Sequence, residues 1–170
     1  MRRGPHQRGI ARARVLMDAC RLELAEGAFD AALFSYNGID CLYPESSRTG
    51  CMREIARVLK PGGVFMFSSH NLIGAFFSGG FWFPSGYLNS ARFIGRQLTN
   101  PLAREWYMRY EDGGGRQHLF SAPPRRSVRQ LQEVGFEVID VCGSDGERNP
   151  SQVLLHKQHV NFVAQRPPAP

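Results

Sequence analysis

The apolar positions of the chain cluster in short runs, each followed by a polar or Gly- and Pro-containing connection. Residues 29–36 contain the run AALF, and residues 63–67 read GVFMF. Each run is apolar on both faces of an extended chain, which is typical of parallel strands that helices cover on both sides. The pattern therefore predicts two buried strands, at 29–36 and 63–67.

A helix is predicted between these strands, at about 48–59. Its apolar residues recur at spacings of three and four, with charged residues on the other side; they are Met52, Ile55, Ala56 and Leu59. Pro61 cannot continue a helix and Gly62 tolerates a left-handed helix end, so both should terminate it. Strand, helix and strand in this order form a right-handed βαβ unit of a mostly parallel sheet.

Three further segments extend this α/β pattern. A helix from about residue 125 precedes a half-buried strand at 136–143. A last strand is predicted at 159–166, and the short gap before it allows antiparallel pairing at a sheet edge. The short apolar run at 13–20 is consistent with a brief strand that ends at Asp18.

Polar residues follow both buried strands at their carboxyl ends. Ser35, Tyr36 and Asn37 follow the first strand, and the sequence SSHN at 68–71 follows the second. In α/β sheets of this kind, ligands bind outside the carboxyl ends of the strands. We therefore expect the two strand exits to face one pocket.

The segment 72–115 has a different character, because its first part combines many aromatic residues with several glycines. Such a composition fits a cap over a pocket, with apolar walls for a substrate. It fits equally well a satellite cluster of apolar side chains under a long loop. The sequence leaves both interpretations open.

The composition is that of one soluble globular domain: 170 residues, 42% hydrophobic and 21% charged. Of a formal net charge of +6, residues 1–14 carry five arginines and no acidic residue, so we interpret them as a disordered basic arm. A field confined to such an arm does not predict nucleic-acid binding. Because no membrane span or signal peptide is evident, we expect a cytoplasmic protein that makes no membrane contact.

The cysteines and histidines do not predict a metal site. Cys20, Cys41, Cys51 and Cys142 form no CxxC pair, so reduced thiols are expected. His156 and His159 are three residues apart, but no cysteine or carboxylate lies close enough in sequence to complete a ligand set.

Several segments together resemble the class I S-adenosylmethionine-dependent methyltransferases, and in particular their small type 11 domains. The resemblance covers about residues 15–166 and depends on DACRLELAEGAFDAALFSYNGIDCL, REIARVLKPGGVFMFSS, LQEVGFEVIDV and NFVAQRP. It implies a Rossmann-like α/β fold, with helices on both faces of the sheet and an antiparallel last strand. In the family's strand order, 3-2-1-4-5-7-6, the segments of this chain would be strands three to seven, at 15–18, 30–35, 63–68, 136–142 and 160–165.

The resemblance also implies a cofactor, S-adenosylmethionine, and residues that bind it. Asp18 would accept a hydrogen bond from the adenine amino group, and the backbone N–H of Ala19 would meet the ring, with Cys20 following it in the binding segment. The exit of the fourth strand, at Ser35, Tyr36 and Asn37, would lie by the methionine part. His70 is our candidate for a general base, with His118 as the second candidate. The alternative, which the sequence favours for each, is a pocket-lining or structural histidine.

The chain departs from this family where the family's cofactor loop should stand. No Gly-rich turn with a preceding apolar strand lies before Asp18, so the first two strands are expected to be missing and the chain to be truncated. The fourth strand would then present an unpaired edge, open to self-association or to a partner chain. We expect methyl transfer to a small molecule, impaired by the loss of this loop.

Two alternatives to this function remain at the level of the sequence. One is a non-catalytic remnant or interaction module of the same fold, which would bind a partner by strand addition. The other is a nicotinamide-dependent oxidoreductase on a related sheet. The sequence disfavours the latter, because that cofactor also needs a Gly-rich turn between a strand and a helix.

Overall fold

A computed structural model describes residues 14–77, 84–112 and 115–168 of the chain. The strands are β1 (Phe29–Phe34), β2 (Leu59–Asn71), β3 (Tyr107–Asp112), β4 (Gly115–Ala122), β5 (Glu137–Gly143) and β6 (His159–Gln165). The α-helices are α1 (Glu45–Val58), α2 (Leu72–Phe77), α3 (Pro84–Leu98), α4 (Pro124–Val134) and α5 (Pro150–His156), and 3-10 helices span Gly38–Cys41 and Pro101–Glu105.

β2 is the central strand of the sheet. It pairs in parallel with β1, and antiparallel with β6, which in turn pairs antiparallel with β5. At its carboxyl end β2 also pairs in parallel with β4, which forms a hairpin with β3. The Rossmann-like α/β class and the antiparallel last strand are confirmed; parallel pairing among the described strands is limited to β1–β2 and β2–β4.

The βαβ unit forms as predicted, but the helix ends and the second strand begins earlier. α1 ends at Val58, and Leu59 is already extended, so Pro61 and Gly62 lie within β2 rather than at the helix end. Gly62 does adopt a left-handed conformation, with φ of 80°. A Cβ on Gly63 would meet the carbonyl oxygen of Lys60 at 2.8 Å, so the backbone approaches here more closely than a side chain would allow.

The main hydrophobic core lies between the sheet and the helices that cover it. Three aromatic rings form its centre: Phe65 stacks on Phe67 at 5.0 Å, and Phe67 stacks on Phe162 at 4.9 Å. α1 contributes Cys51, Met52 and Ile55, and α4 contributes Leu131. Burial of these apolar side chains explains why α1 and α4 form where their apolar spacing predicted them.

The predicted strand at 15–18 is not formed. Within the described part of the chain, these residues make only an isolated bridge, between Asp18 and Arg21, and Val15 and Leu16 are exposed. The physical reason is that a strand needs a neighbour for its backbone groups, and none of the described strands pairs with this segment.

In the part of the chain that the structure describes, one edge of β1 is unpaired, as predicted. Among the described strands β1 pairs only with β2, and its side chains are largely exposed, with Leu33 at 69%. The interpretation of residues 1–14 as a basic arm concerns residues outside the described ranges, apart from Arg14. Residues 167 and 168 form neither helix nor strand, while 169–170 are outside the described residues.

The segment between β2 and α4 is more regular than its composition suggested. α2, α3 and the β3–β4 hairpin occupy most of 72–115, and a second apolar cluster forms around Tyr107 and Phe120. The glycine-rich stretch 78–83 is not described. None of the helices in the described residues has the length and apolar character needed to cross a membrane.

Candidate functional site

The exits of β1 and β2 adjoin, as expected from the sequence. β1 ends in a tight turn in which Tyr36 and Asn37 adopt left-handed conformations, with φ of 56° and 54°. The backbone N–H of Asn37 donates to Oγ of Ser68 at 3.2 Å. Tyr36 is 97% exposed, so its side chain is directed away from the core.

The centre of this region is a fully buried carboxylate, Asp40, on the 3-10 helix that follows the β1 exit. Its Oδ2 accepts a hydrogen bond from the backbone N–H of His70 at 2.8 Å and lies 2.8 Å from Nδ1 of the same residue. Its Oδ1 accepts from Oγ of Ser69 at 2.7 Å. Asp40 thus connects the loop after β1 to the carboxyl end of β2.

Arg48, on α1, forms the other half of this buried network. Its Nη2 lies 3.5 Å from Oδ1 of Asp40 and donates to Oγ of Ser69 and of Ser127, both at 3.3 Å. Its Nη1 donates to Oε1 of Gln130. The guanidinium lies 4.2 Å from the ring centre of Phe120, a distance at which cation–π attraction is significant.

Burial of the Arg48–Asp40 pair carries a desolvation cost. Removal from water lowers the pKa of Arg48, whereas the charge of Asp40 opposes that shift. Nε of Arg48 lacks a hydrogen-bond partner among the described residues. A charged pair in such a place is retained only when further hydrogen bonds satisfy it, and here Ser69, Ser127 and Gln130 supply them.

His70 lies at the edge of the network and contacts two other ionisable side chains. Its ring centre is 4.9 Å from that of His159 on β6 and 5.7 Å from that of Tyr110 on β3. Burial, and secondarily the proximity of His70, lowers the pKa of His159. Burial raises the pKa of Tyr110, whose hydroxyl donates to Oγ of Ser121 at 3.1 Å.

Two cavities lie beside these residues. A small one, of about 170 Å³, is lined by Ala75, Phe76, Asn89, Ser90, Phe93, Tyr110 and Gln158. A second, apolar groove of about 420 Å³ lies between α2, α3 and β3, with Phe76 and Phe93 common to both. The aromatic segment therefore supplies apolar walls close to the strand exits.

The residues expected to bind adenine lie against α1. Asp18 is exposed, and its Oδ1 accepts from the backbone N–H of Cys20 at 2.8 Å. The thiol of Cys20 donates to the carbonyl of Ser47 at 3.4 Å, and Ala19 and Cys20 pack against the main core. The structure thus places Asp18, Ala19 and Cys20 on a different element from the β1 exit.

His118 lies apart from His70. It is half-buried on β4, where it pairs with Arg109 of β3. His156 ends α5 and His159 begins β6, and no group of potential metal-ligating side chains occurs in the described ranges.

Asp40 and Arg48 are the residues that the sequence interpretation missed. One signal was present: Arg48 continues the buried stripe of α1 by one turn, four residues before Met52. A basic residue on an apolar stripe should have suggested a buried partner. Asp40 gave no comparable signal, because an acidic residue in a Gly-containing loop is usually exposed.

Comparison with known proteins identifies the fold. Residues 4–67 match the methyltransferase domain family. An S-adenosylmethionine-dependent methyltransferase from Methanosarcina mazei superimposes with a TM-score of 0.63 at 15% identity, over 90% of this chain and 66% of that one. The fold is that of a class I S-adenosylmethionine-dependent methyltransferase.

Two further structures share this class I methyltransferase fold. The CcbJ methyltransferase from Streptomyces caelestis has a TM-score of 0.60 at 18% identity, over 91% of this chain and 63% of that one. The 1,6-didemethyltoxoflavin-N1-methyltransferase from Burkholderia thailandensis, with bound 1,6-didemethyltoxoflavin and S-adenosylhomocysteine, has a TM-score of 0.51 at 14% identity, over 90% of this chain and 50% of that one. No curated protein matches the chain.

The chain spans between half and two thirds of the length of these three methyltransferases. By pairing and direction, β1, β2, β5 and β6 correspond to the fourth, fifth, sixth and seventh strands of the class I sheet. The cofactor of this fold family is S-adenosylmethionine. The described residues fit it in part: the turn at the β1 exit leaves Tyr36 exposed, while none of the described segments places a Gly-rich turn against the free edge of β1.

Proposed function

We propose that this chain takes part in the transfer of a methyl group from S-adenosylmethionine to a small-molecule acceptor. The observation that supports this most strongly is the junction of the β1 and β2 exits, where the Asn37 N–H meets Ser68 and Asp40 holds His70. In a doubly wound sheet this is the edge at which cofactor and substrate meet. The apolar cavities beside it suit a compact acceptor.

The residues that would hold the cofactor follow from the resemblance and from this placement. Asp18 would accept from the adenine amino group, with Ala19 and Cys20 beside the ring, and the turn at 35–37 would face the methionine part. The cofactor, when bound, supplies an activated methyl group. The chain's own contribution is then to orient the acceptor and exclude water.

We further propose that this activity is impaired in the chain as it stands. In the class I sheet, the edge of the fourth strand is covered by a strand whose Gly-rich turn lets the backbone approach the cofactor. The described residues leave that edge of β1 open. Without backbone donors from such a turn, polar groups of the bound cofactor would lack hydrogen-bond partners. The cofactor would therefore bind more weakly.

A titration of the full chain with S-adenosylhomocysteine, followed by amide NMR, tests the proposal. We expect saturable shifts at Ser35, Tyr36 and Asn37, with a dissociation constant weaker than about 1 mM, equivalent to roughly −4 kcal/mol. NAD⁺ serves as the matched control, because a nicotinamide-dependent enzyme would respond to it instead. Micromolar affinity for S-adenosylhomocysteine would contradict the impairment, and the absence of shifts at the β1 exit would contradict the function.

A second candidate is a non-catalytic interaction module of the same fold. The free edge of β1 favours it, because an exposed apolar strand with unpaired backbone groups can take up a strand from a partner or from a second copy. This function would show concentration-dependent association without any response to S-adenosylhomocysteine.

A further inference from the structure

We propose that Asp40 is a positioning residue that prepares His70 to act as a base, and that the acceptor is a hydroxyl group on a single aromatic ring. This inference rests on the proposed function, since it names the acceptor and the proton path for the same site. It depends on two observations, the geometry of the Asp40–His70 pair and the shape of the adjacent cavity.

The first observation concerns which nitrogen of His70 carries the proton. Oδ2 of Asp40 lies 2.8 Å from Nδ1 and also accepts the backbone N–H of His70 at 2.8 Å. An ionised carboxylate can only accept, so Nδ1 must donate, and Nε2 of the neutral ring keeps its lone pair. His70 is thereby held in the tautomer that a base requires.

The second observation is that Asp40 has no freedom to turn away. Oγ of Ser69 donates to Oδ1 of Asp40 at 2.7 Å, and Nη2 of Arg48 lies 3.5 Å from the same oxygen. The carboxylate is fully buried. A carboxylate fixed on both oxygens sets the orientation of the imidazole as well as its tautomer.

Three further ionisable groups lie close to the Asp40–His70 pair. His159 approaches from β6 with a pKa lowered by burial, and Tyr110 approaches from β3 with a pKa raised by burial. Arg48 of α1 stands behind Asp40. Asp40 is thus the acidic partner of His70 in the network, and it bonds Nδ1 and not Nε2.

The cavity next to His70 indicates the acceptor. Tyr110 contacts His70 on one side and Phe93 on the other, at 5.8 Å, and both Tyr110 and Phe93 line the cavity of about 170 Å³. An apolar cavity of about 150 Å³ is known to take up benzene. The volume and the rings of Phe93 and Tyr110 therefore fit one aromatic ring, and Tyr110 connects this cavity to His70.

The proton step balances with this set of groups. The acceptor hydroxyl gives its proton to Nε2 of His70 while its oxygen forms a bond to the methyl carbon of S-adenosylmethionine. The electron pair of the methyl–sulfur bond stays on sulfur, which becomes a neutral thioether. His70 thereby becomes an imidazolium, which the Asp40 carboxylate stabilises, and it then returns the proton to water.

Long-range ¹H–¹⁵N NMR of the histidine rings tests the role of Asp40. We expect His70 in the full chain to carry its proton on Nδ1, and Asp40→Asn to move it to Nε2, because the amide can donate to Nδ1. His156→Gln, at an exposed site on α5, assigns the spectrum without touching the network. An Nε2-protonated His70 in the unchanged chain would overturn the inference, whether or not the Asp40 variant folds.

A titration with phenol and with anisole, its O-methyl ether, tests the acceptor class. Both should shift the amides of Phe93 and Tyr110, and phenol should shift Nε2 of His70 at least several-fold more than anisole, because only phenol can donate to it. In His70→Gln, both ligands should still bind, and phenol and anisole should then cause equal shifts at the amides of Phe93 and Tyr110.

The two titrations separate the two proposals. If phenol causes no shift at Phe93, Tyr110 or His70 while S-adenosylhomocysteine shifts the β1 exit, this inference is overturned and the proposed function stands. If phenol binds as expected and S-adenosylhomocysteine does not, the proposed function is overturned and with it the reaction assigned to His70.

Discussion

Arg48 and Asp40 form a fully buried ion pair that joins α1 to the loop after β1, with Nη2 and Oδ1 3.5 Å apart. The same guanidinium bonds Ser69 of β2 and Ser127 of α4. One side chain therefore links four elements of the domain, and it does so directly behind His70.

Replacing Arg48 by methionine should destabilise the fold strongly. Methionine fills a similar volume, but Asp40 would remain buried without its cation, which typically costs about 3–5 kcal/mol. Arg53→Met, on the exposed face of the same helix, is the matched control and should change stability by less than about 0.5 kcal/mol. Urea unfolding followed by circular dichroism measures both; equal midpoints would show that the pair contributes nothing.

Asp18→Ala should abolish the residual binding of S-adenosylhomocysteine. The carboxylate is the acceptor assigned to the adenine amino group, and alanine offers none. Asp145→Ala removes an exposed carboxylate on a distant loop and serves as the control. The amide NMR titration reports both, and an unchanged response in the Asp18 variant would disprove the adenine assignment.

Leu33→Lys should reduce association of the chain. Leu33 is 69% exposed on the strand whose second edge no described strand covers, and a lysine on an edge strand opposes edge-to-edge pairing. We expect the unchanged chain to sediment faster as its concentration rises, and the variant to remain monomeric. Ile139→Lys, at an exposed position of β5, should leave association unchanged; if it acts equally, the β1 edge is not the interface.

The stability of the fold should decrease in alkaline solution because of Cys51. Burial, and secondarily Cys20, raises the pKa of its thiol to about 12. The folded state therefore favours the neutral thiol, and this contribution is fully present below the ordinary thiol pKa of about 8.5 and is lost as the pH rises toward about 12.

Cys51→Ala isolates this effect from the other groups that titrate in the same range. Between these pH values the free energy of unfolding of the unchanged chain should fall by up to about 1.4 kcal/mol per pH unit more than that of the variant. Urea unfolding at several pH values gives both slopes, and parallel slopes would contradict the assignment.

The core elements of the fold could be predicted from the sequence because local and tertiary preferences agree there. The apolar residues of α1 and of β2 are mostly buried, as their spacing predicted. β1 also forms where predicted, but the prediction that it is buried is wrong: its side chains are largely exposed, and among the described strands it pairs only with β2. Residues 15–18 show the converse: their apolar character suggested a strand, but a strand is stabilised only by a partner, and the described chain offers none.

The candidate site was less accessible to sequence reasoning. His70 and the two strand exits could be named, because the carboxyl ends of neighbouring parallel strands must share an edge. Asp40 could not, because its importance lies in contacts with residues eight, twenty-nine and thirty places away. The regular structure of α3 and of the β3–β4 hairpin was also missed, since the aromatic and glycine content obscured any period.

The sequence by itself determined where β1, α1 and β2 form, because the spacing of apolar residues is a property of the local sequence. It also predicted the free edge of β1, which among the described strands pairs only with β2. Only the tertiary structure decided that a buried arginine, an aspartate and a histidine meet at the carboxyl end of β2. Their pairing depends on desolvation and on distances between elements, which no linear pattern contains.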